Sequence, residues 1–457
     1  MNPPAGAGNG FGRGKRCFMN NKKVASNAKW IILCKVIQSL LQLVIGMLSA
    51  RYLGPANYGI INYAKSVVAF VLPVAQLGLN ATLVREFIEY PDREDEVLGS
   101  SLLVSFCSSV MCIVMVAFTV SALNFGEQDT ILVCILYSLS LVFQAIELTQ
   151  YWFHSKLQSK YPSMMMVVAY VVVSAYKIFL LVSQKSIYWF AVVYSVEYGV
   201  VGFSLLAIYL RQGGRRLHFS MKMAKRLIAN SYPYIFSSMM VTIFQNTDHV
   251  MLKMLSGNEE NGFYSAAITC ASVCSFVYAA IIDSMRPVIL TAKKNGSDDY
   301  GRNISTLYCI ITYLALAQGV FFALFAKPIV LILYGAEYGR TIPVLQMLVW
   351  YVTFAQMGRI RNIWILAETR QKMLWKINLT GAVANVLLNA VLIPRWGAVG
   401  AAFASLVTQF FTNFILGFLF RPIRENNRLM LTGIDPRFLV RMVRSADFIK
   451  IRRKPHD

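Results

Sequence analysis

Apolar stretches long enough to cross a bilayer recur along the whole chain. A spanning α-helix needs about 20 mostly apolar residues. Twelve runs meet that length, at 30–50, 60–82, 99–123, 130–152, 162–183, 187–210, 230–252, 262–285, 303–326, 343–366, 374–393 and 398–420. Polar residues gather between these runs instead of alternating with apolar ones, as they would along a half-buried strand. The stretch from Tyr334 to Arg340 is too short and polar to cross and reads as a surface segment between the ninth and tenth spans. The pattern predicts an all-α polytopic membrane protein with about 12 transmembrane helices.

The organisation expected from this pattern is a pair of six-helix bundles. A Gly-, Pro- and Asn-rich start predicts a disordered tail over 1–28, with no secretory signal peptide. The first bundle covers 29–210, a basic linker 211–229, the second bundle 230–420 and a basic tail 421–457. The halves echo each other. Arg51 to Gly59 follows span one and Lys253 to Gly262 follows span seven, and each stretch ends on Gly before an aromatic-bearing helix start. Parallel repeats of this kind place a substrate path between two halves.

Composition strengthens the membrane assignment. Of the 457 residues, 56% are hydrophobic and 14% charged, where a soluble protein carries about 25% charged residues. The formal charge of +22 would suggest nucleic acid in a soluble protein. Here the basic residues lie in loops, where cytoplasmic segments face anionic lipid. With both termini cytoplasmic, 33 of the 44 Lys and Arg fall inside and 6 outside. That asymmetry selects the orientation. No nucleic-acid partner is expected.

The eight cysteines lack a zinc spacing and read as packing residues. The four histidines form no triad or metal pattern, so neither metal nor cofactor is expected. Gly-rich phosphate loops and a nucleophile elbow are absent. External loops are short and poor in acids, which argues against an enzyme.

Charge at membrane depth is the remaining chemical signal. Lys35, Lys65, Lys177, Arg359 and Arg361 are basic; Glu147, Glu197, Asp248 and Asp283 are acidic. Each costs about 2.5–3.5 kcal/mol at the bilayer centre on insertion scales. They must pair or face a polar cavity. The cations suit an anionic cargo, and a pyrophosphate would find forked partners in Arg and point charges in Lys. Gln42, Gln76, Asn80, Gln144, Gln150, Gln245, Asn246 and Asn378 could solvate sugar hydroxyls. The acids are candidates for ion coupling. Arg359 and Arg361, two apart, point to different helix faces.

Ala50 to Pro55 with Tyr58 and Gly59 resembles the first external turn of Wzx-type polysaccharide flippases. These form the polysaccharide-transporter branch of the multidrug/oligosaccharidyl-lipid/polysaccharide exporter superfamily. Further matches follow in order: Val84 to Glu86, Ser231 to Pro233, Gly262 to Ala267, Leu333 to Gly335, and Leu392 to Pro394 followed by Gly397 to Ala402. The resemblance covers about 28–420. It implies a V-shaped, MATE-like pair of bundles working by alternating access. The implied cargo is an undecaprenyl-pyrophosphate-linked repeat unit of O-antigen, capsule or exopolysaccharide, and the implied site is the bacterial inner membrane. Other polysaccharide-assembly membrane proteins and membrane lipid are the implied partners. The family's cavity-lining spans point to Lys35, Lys65, Asp248 and Asp283. A multidrug or cation antiporter of the same superfamily, or a membrane glycan polymerase or glycosyltransferase, are the alternative readings.

Reporter fusions at Gly126 and Gly335 should read external, and those at Gly213 and Arg437 cytoplasmic. An external reading at Gly213 would overturn the arrangement of two six-span halves.

Overall fold

The computed structural model describes residues 21–444 apart from 213, 215, 371 and 372, with side chains from Ile37 onward except Leu40. Among the described residues there are helices and no strands. The first half comprises α1 (Asn21–Ala75), α2 (Leu83–Glu89), α3 (Glu94–Leu123), α4 (Gln128–Ser138), α5 (Ser140–Glu147), α6 (Gln150–Ser155), α7 (Lys160–Val182) and α8 (Ile187–Arg211). The second comprises α9 (Met221–Ser256), α10 (Asn258–Ala271), α11 (Ser275–Lys294), α12 (Asp299–Leu333), α13 (Thr341–Ala367), α14 (Leu374–Phe410) and α15 (Leu416–Leu419). Two further helices, α16 (Arg424–Ile434) and α17 (Pro436–Arg444), close the described chain.

Among the described residues, nine segments are long and apolar enough to cross a membrane. Two of them, Ile37–Ala75 and Leu374–Leu419, are interrupted by non-helical glycines, Gly54 and Gly397. Counted as two crossings each, these bring the total to eleven, and α13, 27 residues long and placed between α12 and α14, is the twelfth helix of the sequence reading.

Several boundaries differ from the sequence reading. The fourth span breaks into α4, α5 and α6, and the eighth divides at Ser272–Cys274 into α10 and α11. The linker read as 211–229 is half helix, because the Ser220 hydroxyl caps α9 by accepting from the Met223 N–H at 3.4 Å. The stretch read as a tail from 421 folds back instead. Gly433 lets α16 approach α12 closely, Ser305 Oγ donates to the Leu429 carbonyl at 3.0 Å and Tyr313 donates to that of Ile434 at 2.9 Å. Residues 1–20 and 445–457 lie outside the described residues.

The helices pack as membrane helices do, with small residues inward and large apolar ones outward. On α3, Ser101, Ser105, Ser109 and Cys112 are buried while Met111, Val114 and Phe118 are exposed. Ser105 and Ser109 donate to the carbonyls of Ala75 and Leu141 at 3.0 and 3.1 Å, tying α3 to its neighbours.

The two halves meet at one end of the molecule through a repeated device. Gly54 (φ 71°) and Gly257 (φ 93°) each turn the chain in the left-handed region that glycine tolerates best. Five residues later stand Gly59 and Gly262, where the halves cross. A Cβ on Gly59 would lie 1.8 Å from the Asn258 carbonyl oxygen, and one on Gly262 would lie 1.9 Å from that of Pro55. The Asn261 amide donates to the Gly59 carbonyl at 2.7 Å and the Tyr338 hydroxyl to that of Ala50 at 2.7 Å.

Charged contacts complete this sealed end. Lys253 is buried and donates to the Asn124 side chain and, at 3.0 Å, to Glu127. Partial burial pushes the Glu127 carboxyl up, but hydrogen bonds from Thr130 and Lys253 outweigh it and hold it below its usual value. The pair's contribution is therefore present above the ordinary Glu range and is lost as pH falls through the lowered value. Glu260 bonds Arg340 at 2.5 Å and accepts from the Ala398 N–H at 2.7 Å.

At the opposite, basic end α9 is strapped to the first half. Arg226 bonds Glu89 at 3.0 Å and lies 4.3 Å from the Tyr90 ring, and Asn230 donates to Glu86 at 2.7 Å. The far end of α9 belongs to the second half, where the Ser256 hydroxyl donates to the Ile393 carbonyl at 3.1 Å.

Val at Gly59 or Gly262 meets backbone that cannot move aside as a flexible side chain would. Each change should cost at least about 1–3 kcal/mol, the range for overpacking. Asn57, exposed and bonded among the described residues to the Leu53 carbonyl four positions back, should tolerate Val. Thermal melting in detergent checks this, and equal loss at Gly59 and Asn57 would show that the crossing is not tightly packed.

Candidate functional site

The charged residues at membrane depth divide between cavities in the two halves. In the first half, a 280 Å³ cavity is lined by Lys65 of α1, Tyr170 and Lys177 of α7 and Tyr194 and Glu197 of α8, with Thr269 of α10 reaching in from the second half. Lys65 is open to this cavity and Lys177 half-buried. The Lys177 ammonium lies 5.6 Å from the Tyr194 ring centroid, close enough for cation–π attraction. Gln42 donates to the Tyr170 hydroxyl at 2.7 Å.

A 270 Å³ chamber adjoins it. Gln38, Gln76, Gln144 and Glu147 line the new space, while Tyr170, Glu197 and Tyr198 line both chambers. Glu147 is buried. A carboxylate thus stands in the wall between a space with two lysines and a space with a second carboxylate.

The second half carries the arginines. A 390 Å³ cavity is lined by Arg359 and Arg361 together with Gln245, Gln356, Asn378 and Asn413. Arg359 is exposed and Arg361 buried. Arg361 donates to the Thr412 carbonyl at 2.7 Å, yet its buried Nε has no partner among the described residues. The two-residue spacing gives them different exposures, but both reach one space.

Asp248 sits at the centre of a hydrogen-bonded network. Its carboxylate accepts from Tyr264 at 2.7 Å, Asn389 at 2.6 Å and Ser405 at 2.5 Å, joining α9, α10 and α14. Only a 40 Å³ space adjoins it. Asp283 is exposed on α11 and lines none of these cavities. The side chain of Lys35 lies outside the described residues. Among the described residues no three His, Cys, Asp or Glu converge as metal ligands.

Of the neutral residues singled out in the sequence, Gln42, Gln76, Gln144, Gln245 and Asn378 line cavities. Asn246 instead bonds the Thr242 carbonyl of its own helix. The cavity tyrosines were missed. Their signal was present: Tyr170 and Lys177 stand seven apart, and Tyr194, Glu197 and Tyr198 share one helix face by their spacing.

Apolar helices of spanning length in two halves, with polar cavities between them, define a multi-pass membrane protein. The fold agrees. The inward closed form of the lipid II flippase MurJ superposes with a TM-score of 0.70 over 93% of both chains at 14% identity. An inward-facing MATE multidrug transporter of the MOP superfamily superposes with 0.63 over 87% of this chain and 96% of that one, also at 14% identity.

Residues 24–293 match the family described as polysaccharide biosynthesis protein, and the chain belongs to that family. A protein of Escherichia coli (strain K12) named as an O-antigen transporter is 21% identical over 422 residues, 90% of this chain and all of the relative. The capsular polysaccharide biosynthesis protein CapF of Staphylococcus aureus is 20% identical, over 85% of this chain and 96% of its own length.

Asp248→Ala should destabilise the protein by at least about 1–3 kcal/mol, because it leaves buried donors without an acceptor. Melting in detergent should show this loss, with Asp283→Ala close to wild type. Unchanged melting of the Asp248 variant would mean the network is dispensable for folding.

Proposed function

We propose that this chain is a flippase that carries lipid-linked oligosaccharide across the bacterial inner membrane by alternating access. The observation that carries the reading is the presence of paired cations in membrane-embedded cavities, Lys65 with Lys177 in one half and Arg359 with Arg361 in the other. Arg359 is exposed on the second-half cavity, so its guanidinium is a donor available to a cargo oxygen. The names of the O-antigen and capsule relatives support a glycan cargo. The cargo class is an undecaprenyl-pyrophosphate-linked repeat unit for O-antigen, capsule or exopolysaccharide. The phosphates meet the cations, and the glutamines and asparagines of the same cavities meet sugar hydroxyls. Both termini and the basic end face the cytoplasm, following the loop asymmetry.

A multidrug or cation antiporter would want an acid-dominated, aromatic cavity, whereas the large second-half cavity is lined by Arg359, Arg361 and amide side chains. Asp248, the acid best placed for that, is occupied by three donors. For ion coupling the candidates are therefore Glu147 and Glu197.

The test is surface glycan in a flippase-null strain. Lys65→Ala, Lys177→Ala, Arg359→Ala and Arg361→Ala should reach the membrane yet fail to restore glycan. Lys↔Arg exchange should partly rescue a point-charge role but not a forked one. Stable expression with complete export in all four would reject the cationic path.

A further inference from the structure

The first-half cavity raises a problem of charge balance. Two lysines stand in a membrane-embedded space, and unpaired charge there is costly. Glu197 is the carboxylate on the same cavity and lies within electrostatic reach of both ammonium groups. It is the one carboxylate among the residues lining that cavity, and so the counter-ion the cavity offers them. A cargo phosphate entering the cavity offers the same lysines more oxygens and more negative charge. Phosphate and carboxylate then compete for one pair of cations.

The second chamber gives the displaced carboxylate a destination. Glu197 lines it already, alongside Gln38, Gln76 and Gln144, which can hydrogen-bond a carboxyl group in either protonation state. Glu147 lines it too, and the two acids are within electrostatic reach of each other. Once Glu197 loses its lysines, two carboxylates share a confined space. Like charges so placed raise each other's proton affinity. One proton from water then forms an O–H bond on one of them. We propose that Glu197 is a resident counter-ion to Lys65 and Lys177, which the cargo's phosphate displaces toward Glu147, so that cargo binding draws a proton into the first half.

The groups facing Glu197 allow this assignment. They are Tyr58 and Lys65 from α1, Tyr137 from α4, Glu147 from α5, Tyr170 and Lys177 from α7, and Tyr194 and Tyr198 from its own helix. The ordinary range of tyrosine lies near 10 and that of lysine above it, so near neutral pH the carboxyl pair is the proton acceptor. Coupling is reciprocal: if cargo raises proton affinity, acid raises cargo affinity by the same factor.

This inference rests on the anionic-cargo reading, and one experiment separates the two. Farnesyl diphosphate is titrated into the purified full-length protein in detergent by calorimetry, in two buffers of different ionisation enthalpy. The wild type should take up about one proton per probe bound, as linkage requires. Glu197→Gln should abolish the uptake and bind the probe at least about fivefold tighter, the low end of typical coupling. Glu147→Gln should bind the probe and lose the uptake, while Glu197→Asp should retain it. Binding by the wild type without proton uptake overturns the inference and leaves the cationic cavity standing. So does uptake that persists in both Gln variants, or weaker binding by a folded Glu197→Gln. If Lys65→Gln/Lys177→Gln binds the probe as well as wild type, the anionic reading of this cavity itself falls.

Discussion

A bilayer interior contains no water to hydrate a charge, and that constraint organises this molecule. Every ionised group at depth must have a partner or a polar space. The structure uses both solutions, and it uses them differently in different places. Lys253 is closed in between Asn124 and Glu127. Asp248 is closed in by three donors. These charges are committed to holding helices together. Lys65, Lys177, Arg359 and Arg361 instead line open volume. The distinction between spent and available charge is what separates the frame from the proposed cargo path.

The frame depends on how closely two backbones can approach. Gly59 and Gly262 stand at matching places in the two halves, each five residues after a glycine turn. Their crossing brings helix backbone against helix backbone with no room for a Cβ. Close approach of this sort substitutes packing and carbonyl hydrogen bonds for the hydrophobic effect, which is weak between helices in lipid. The Asn261 bond to the Gly59 carbonyl and the Glu260 bridge to Arg340 and Ala398 add polar closure around it. α9 then links the sealed end to the basic end, because its start is held by Glu86 and Glu89 and its far half by Asn389 and Ser405.

The twelve crossings were legible because apolar run length is a one-dimensional property, and Gly54 and Gly397 turn the chain where runs one and eleven end. The short segment around Tyr334 to Tyr338 was legible for the same reason. The helices after 421 were not, because α16 is amphipathic and too short to register as a span. Its contacts to Ser305, Tyr308 and Tyr313 come from residues more than 100 positions earlier. Among the site residues, sequence identified charge at depth but not its state. Nothing in the neighbourhood of Asp248 reveals that Asn389 and Ser405, 141 and 157 positions away, will occupy it. Glu197 and Asp248 are equivalent as letters in an apolar run. Only tertiary structure shows one facing a cavity and the other locked in a network.

The position of the first-half cavity relative to the seal connects these points. Thr269, which reaches that cavity, lies on α10 only seven residues beyond Gly262, about two helical turns and roughly 10 Å along the axis. Lys65 lies six residues beyond Gly59 on α1, at a comparable depth. The same two helices therefore form the glycine crossing at one level and the cavity wall at the next. A change in the angle at which α1 and α10 cross cannot leave the cavity unchanged, because neither helix has a described break between the two levels. Opening the seal would swing Lys65 and Thr269 apart and alter the electrostatic surroundings of Glu197. In the proposed flippase, coupling between cargo charge and the glycine crossing would need no separate relay, because the same two helices form both levels.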